Sequence, residues 1–304
     1  MSESGDGSIL DQLRIPYDKI KMLNRIELGF SFGYGTVFEG ELADKRVAFK
    51  KLNIRVFAGD KKSKLLAEIL KLSQFRHPNI VSLLWYCDEK SEMILVYEYV
   101  AHGNLYERMR AGKQITAIQR LKICLDAARG LHYLHTRVDP TTPDHIGIVH
   151  GNIKLSNILL NSDIKSSTFE AKVSGFGFKK YGVLSLPPTS WGEATYTKEF
   201  DVYTFGALLL EVLNGNSHMA DPYDNGCDAR ALHASLVELL PKMMHRKDLG
   251  RLVHNDIKNE IKKESLETYA NIANQCLTKN PHERPKMAEV VKELEKALRL
   301  QVTF

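Results

Sequence analysis

The apolar pattern of this chain changes period once, near Tyr99, and that change restricts the folds open to it. Before Tyr99, runs of β-branched and aromatic residues read as strands: Thr36-Val37-Phe38, Arg46-Val47-Ala48-Phe49 and Met93-Ile94-Leu95-Val96-Tyr97. One helix interrupts them over Lys61–Phe75, where Leu65, Ile69 and Leu72 recur at helical spacing beside Leu66 and Leu70, and His77-Pro78-Asn79 ends it. After Tyr99 helices dominate. Ile115–His135 places Ile118, Leu121, Leu125, Ala128 and Leu131 on one face, and Asp201–Leu213 is apolar almost all round, as a buried helix is. Further helices are expected at Glu264–Leu277 and Met287–Leu300. A small strand-rich lobe with one main helix (about 21–99), followed by a larger helical lobe (about 103–302), makes an α+β, two-lobed domain. Residues 1–20 open with a polar, Ser- and Gly-bearing run and are expected to be disordered.

Composition narrows the function classes. A chain of 304 residues with 43% hydrophobic content can bury a substantial core. Its net charge of +5 is spread out, in clusters as short as Lys61-Lys62-Ser63-Lys64, and no long basic run interleaves with aromatics, which argues against nucleic acid as a partner. Cys87, Cys124, Cys227 and Cys276 stand far apart without a C-x-x-C pair, so they read as reduced and mostly buried, in a cytoplasmic setting. The start lacks a basic-then-apolar signal segment, and position 2 is Ser rather than the Gly that myristoylation needs. The longest apolar stretch, Phe205–Leu213, is too short to span a bilayer, so no membrane-spanning segment is expected.

The chemistry-bearing run is His150-Gly151-Asn152-Ile153-Lys154-Leu155-Ser156-Asn157. It follows the pattern H-R-D-x-K-x-x-N of the protein-kinase catalytic loop, where the Asp takes up a hydroxyl proton and the Asn holds a magnesium ion. Further on, Lys172-Val173-Ser174-Gly175-Phe176-Gly177 follows K-V-S-D-F-G, with Gly175 in place of the metal-binding Asp. Other phrases agree: His77-Pro78-Asn79-Ile80-Val81, Leu95-Val96-Tyr97-Glu98-Tyr99-Val100, Gly103-Asn104-Leu105, Ala128-Arg129-Gly130-Leu131-His132-Tyr133-Leu134-His135, Asp201-Val202-Tyr203-Thr204-Phe205-Gly206 and Arg284-Pro285-Lys286-Met287. From about Ile26 to Leu298 the chain resembles the plant receptor-like kinase family.

That resemblance implies a nucleotide site built from Gly35, Val37, Ala48, Lys50, Glu68, Glu98, Val100, Lys154, Asn157 and Leu159. Lys50, in Val47-Ala48-Phe49-Lys50, matches the phosphate-pairing Lys, and Glu68 matches its helix partner, so an ion pair between them is expected. Without that pairing, the two would be a solvated strand-end lysine and an exposed helix carboxylate. Val37, Ala48 and Leu159 match the residues that sandwich adenine. Leu72, Leu83, His150 and Phe176 match the family's stacked side chains, with Asp201 bracing the loop backbone, although all are also plain core residues.

Several departures concern chemistry. Asn152 cannot take up a proton near neutral pH, and Gly175 has no side chain for a metal. In the glycine-rich loop Phe30 and Phe32 stand where the first two glycines belong; they either obstruct the phosphates or pack as ordinary strand residues. Gly151 replaces the loop Arg, and Pro187-Pro188-Thr189 stands where A-P-E would be, which removes the Glu expected to meet Arg284. Tyr181, Ser185, Thr189 and Ser190 are hydroxyls of the intervening segment. Thr136–Gly147 and Asn214–Gly226 are loops that either carry partner specificity or are tolerated insertions. The expectation is a pseudokinase, with no intact catalytic residue, acting as a binding, scaffolding or allosteric module toward other protein kinases or receptors, cytoplasmic and associated with the plasma membrane through its partners. Any ATP would bind without a metal, magnesium being disfavoured. The alternative is a weak or unconventional ATP-dependent Ser/Thr/Tyr kinase.

Overall fold

A computed structural model describes residues 9–26, 35–52, 61–112, 114–137, 147–163, 166, 169–177, 197–215 and 228–303, with the side chains of 24–26, 61 and 228–234 left aside. The expectations placed on Phe30, Phe32, Cys227, Pro187-Pro188-Thr189, Tyr181, Ser185, Thr189, Ser190 and most of the loops Thr136–Gly147 and Asn214–Gly226 lie outside the described residues. The chain divides after Ala101 into a strand-rich unit, which also takes in Phe176, and a helical unit beginning at His102.

The first unit is a five-stranded antiparallel sheet of order β1-β2-β3-β5-β4, made of β1 (Lys21–Ile26), β2 (Gly35–Leu42), β3 (Lys45–Leu52), β4 (Leu83–Cys87) and β5 (Ile94–Glu98). β2 and β3 form a hairpin closed by Ala43 and Asp44, both at positive φ (48° and 61°), as a two-residue turn matched to the strand twist requires. Side chains alternate across β3. Val47 and Phe49 go inward, and Leu42, Val47, Phe49, Cys87, Ile94 and Val96 form a buried cluster. Helix α2 (Lys61–Ser73) buries Leu65, Ile69 and Leu72, the spacing read from the sequence.

The expected disorder of residues 1–20 fails for the part described. Residues 9–13 form a short helix (α1), Tyr17–Lys19 a 3-10 turn, and Ile15, Tyr17 and Ile20 pack on the sheet cluster. The polar count of the segment hid three apolar anchors, spaced so that the sheet edge can bury them.

The second unit is mainly helical: α3 (Leu105–Arg110), α4 (Ala117–Thr136), α5 (Lys198–Asn214), α6 (Asp228–His245), α7 (Lys263–Cys276) and α8 (Met287–Val302), with a small hairpin of β6 (Ile158–Leu160) and β7 (Ala171–Val173). α4 is buried on most sides, by Leu121, Ile123, Cys124, Leu125, Ala127, Ala128, Leu131 and Leu134. Ile118, placed on that buried face by its spacing, is instead 45% exposed, although Ala117 and Arg120 of the same turn are buried. The helix starts on a capping box: the Thr116 hydroxyl accepts from Gln119 N, while the Gln119 side chain accepts from Thr116 N. Thr116→Ala is expected to lower stability by about 1 kcal/mol in urea unfolding. α5 is buried almost all round from Asp201 to Leu213, as read from its sequence, while α6, which contains Pro241, had no anticipated counterpart. Cys87, Cys124 and Cys276 are buried free thiols, and among the described residues no helix is long and apolar enough to cross a membrane.

Candidate nucleotide and phosphotransfer site

Strand register assembles the first unit's share of the site. Val37 faces Lys50 across β2 and β3, while Lys50 faces Leu95 and Ala48 faces Tyr97 across β3 and β5. Residues directly opposite in an antiparallel pair share a face, so Val37, Ala48, Lys50 and Tyr97 come together on the face away from the Val47–Phe49 cluster. Gly35 begins β2 at φ +154°, where an added Cβ would fall on the Lys51 carbonyl, so only glycine fits. Glu98 pairs with Val47 and lies on the other face; its carboxylate accepts from Ser82 N at 2.7 Å and its own N–H donates to Ser82 O at 3.0 Å. Val100 follows β5 and is partly buried.

The expected ion pair between Lys50 and Glu68 is not formed. No ion pair joins them among the described residues, and burial, unopposed by any carboxylate, pulls the Lys50 ammonium down to about 8. The Glu68 carboxylate is turned elsewhere. Burial and then the Glu68 charge push the Tyr97 phenol up, and Glu68 Oε1 would stand 3.3 Å from a Cβ added to Gly177. Sequence register put Lys50 and Glu68 in the right elements, but the direction of a helix side chain depends on how the helix is rotated against the sheet. Tyr97 was missed for the same reason.

Burial of this lysine makes stability depend on pH with a definite sign. Its folded pKa, about 8, lies below the ordinary value of 10.5, so between these pH values the folded state holds fewer protons than the unfolded chain and stability rises with pH. Below pH 8 both states are charged and the burial penalty is present in full. Lys50→Met is expected to stabilise the chain at pH 7 by on the order of 2 kcal/mol, a gain that vanishes by about pH 10.5 in urea titrations at both pH values.

In the second unit, Asp201, fully buried at the start of α5, organises the loop. Its Oδ2 accepts from His150 N at 2.6 Å, its Oδ1 from Gly151 N at 2.6 Å, and His135 Nε2 lies 2.9 Å from Oδ2. The part played by His135 was not read from the sequence, although it closes the phrase Gly130–His135. His150 is a structural histidine: Nδ1 accepts from Asn152 N at 3.1 Å, which leaves Nε2 to donate to the Ser174 carbonyl at 2.9 Å.

The loop's remaining polar groups bind to one another. Asn157 Nδ2 donates to Asn152 O at 2.7 Å, and Asn157 O accepts from Ser174 N (2.8 Å) and Ser174 Oγ (3.1 Å). Gly175 follows at φ +80°, and a Cβ there would lie 2.8 Å from the Asn157 carboxamide. The amide therefore occupies the space beside Gly175 that a longer side chain would need. The side chains of this set offer a cation no carboxylate, and among the described residues no group of three or more His, Cys, Asp or Glu could hold a metal. These residues do not fit a magnesium ion, which favours several hard, mostly anionic oxygens. Leu159 lies on β6 opposite Lys172, Lys154 precedes Leu155 in extended backbone, and Asp163 is exposed beyond β6.

Other matched positions are packing residues. Leu72, Leu83, His150 and Phe176 are all buried, and the Phe176 ring lies 6.0 Å from Phe75. Arg284 is well satisfied: it donates to the carbonyls of Thr278 (2.8 Å), Lys279 (3.3 Å) and Glu199 (2.8 Å), and its guanidinium lies over the Tyr203 ring.

A strand-rich unit with a β3 lysine, followed by a helical unit with an aspartate-braced loop, defines a protein-kinase fold. The family described as protein tyrosine and serine/threonine kinase matches residues 23–294, and the chain belongs to it. Among curated relatives, the receptor-like protein kinase HERK 1 of Arabidopsis thaliana is 35% identical over 287 residues, covering 88% of this chain and 32% of that protein. ANXUR1 of the same plant is 36% identical over 296 residues, covering 89% and 32%. The chain thus spans about a third of the length of these relatives. Among solved structures, the pseudokinase domain of BIR2, an immune regulator of the RLK/Pelle family, matches with a TM-score of 0.71 at 23% identity, covering 95% of this chain and 84% of that one, a likeness of fold.

Proposed function

We propose that this domain is a pseudokinase: a binding, scaffolding or allosteric module of receptor-like kinase signalling that engages another protein kinase or receptor. The observation that carries the reading is the closed Asn152–Asn157–Gly175 set, in which two positions that need carboxylates have none and the amide of Asn157 is bonded inward. Loss of a general base costs about 10²- to 10⁴-fold. Phosphoryl transfer relies almost wholly on positioning and charge stabilisation, so the missing metal ligand weighs more than the missing base. The buried Lys50, which makes no ion pair with Glu68, agrees with this reading. Likeness in fold to the pseudokinase domain of BIR2 makes it a natural comparison. The setting that follows is cytoplasmic, near the plasma membrane through partners.

If nucleotide enters, the buried Lys50 supplies positive charge to its phosphates and position 175 supplies no carboxylate for a metal, so ATP binds without a divalent ion. The expected result is a melting shift with ATP or ADP that EDTA leaves unchanged; a shift seen only with magnesium contradicts it. The decisive assay is transfer of radiolabelled phosphate with magnesium or manganese, the parent chain set against Lys50→Met. Equal background from both is expected. Transfer abolished by Lys50→Met would instead establish the weak kinase, for which the retained Lys50 and Asn157 speak.

A further inference from the structure

The described part of the N-terminal segment is tied to the sheet and, through one carboxylate, to the helix that carries Glu68. Ile15 N donates to Tyr86 O at 2.8 Å and Arg14 makes a parallel bridge with Tyr86, so the segment extends the sheet at its β4 edge. Tyr17 N donates to Glu89 Oε2 at 2.9 Å, and Lys90 Nζ lies 4.4 Å from the centre of the Tyr17 ring. Asp88, just after β4, divides its oxygens: Oδ1 takes Arg14 Nε at 2.6 Å, and Oδ2 takes Lys62 Nζ, in the first turn of α2, at 2.9 Å. Its side chain is only 10% exposed, although both cations reach solvent. Burial alone would push this carboxyl up; Lys62 and Arg14 outweigh burial and hold it below the usual range.

We infer that residues 9–20 are a built-in strap that sets the seating of α2, with Asp88 as the joint between them. A shared carboxylate couples its two partners, because losing either cation leaves a mostly buried charge half-compensated and shifts its hold on the other. Whatever lifts Arg14 away therefore loosens the first turn of α2, and with it the placement of Glu68 beside Tyr97. A binding partner that captures the strap would act on the nucleotide half-site without touching it. Exposed ion pairs contribute little by themselves; what gives this joint its effect is the shielded position of Asp88.

The test is amide hydrogen exchange on the full chain. Arg14→Ala is expected to speed exchange in residues 62–66 by about 2- to 5-fold while β5 is unchanged. In the D88N background the same substitution adds nothing further. Should D88N fold poorly, Arg14→Ala and Lys62→Ala serve instead, their effects on α2 combining to less than their sum. The inference is overturned if Arg14→Ala releases residues 9–20 yet leaves α2 exchange unaltered, or if it acts equally with and without Asp88.

Discussion

A double variant carrying Asn152→Asp and Gly175→Asp stays inactive as a kinase and unfolds more readily than the parent chain. Restoring two carboxylates on paper restores the motif, but position 175 is held at φ +80°, and any side chain there meets the Asn157 carboxamide at 2.8 Å. Left-handed backbone costs a non-glycine residue about 1–2 kcal/mol, less for Asp than for most, and forcing atoms into a filled space typically adds about 1–3 kcal/mol. The sum, roughly 2–5 kcal/mol, is measurable in urea unfolding. For a carboxylate introduced at position 175 to reach a metal, Asn157 would have to break its 2.7 Å bond to Asn152 O, and the loop would then lose the bond that ties its two ends. Phosphate transfer by the double variant within tenfold of an active relative would show that only the two missing carboxylates separate this chain from catalysis.

Asp201→Ala is expected to cost about 3–5 kcal/mol, the largest single loss foreseen for the loop. Three groups lose their acceptor at once: the N–H of His150, the N–H of Gly151 and the ring of His135, all in a site closed to water. Asp201→Asn keeps the shape but can accept at only one oxygen, so its loss should fall between the parent and the alanine variant. Equilibrium unfolding in urea reads both. An Asp201→Ala protein as stable as the parent would mean that the loop backbone finds other partners and that its geometry does not depend on the brace.

Much of this architecture was legible from spacing. Leu65, Ile69 and Leu72 announced α2, the uniformly apolar Phe205–Leu213 announced a buried helix, and the change near Tyr99 falls close to the division after Ala101. α6 escaped notice because Pro241 and a polar approach weaken its periodic signal. The strap escaped because polar composition was weighed over the placement of Ile15, Tyr17 and Ile20. Motif comparison removed the glutamate expected to meet Arg284, whereas three backbone carbonyls, which no motif records, receive its guanidinium.

The order of residues alone determined which chemistry this chain can lack: an amide at 152 accepts no proton near neutral pH, and a hydrogen at 175 coordinates nothing, however the chain folds. Tertiary structure alone decided where the retained groups point, bringing Glu68 near Gly177, leaving Lys50 without a carboxylate partner among the described residues and closing Asn157 onto Asn152. Functional-group identity is covalent and travels with the sequence. Direction and pairing are set by packing between elements distant along the chain, and only the folded chain brings those elements together.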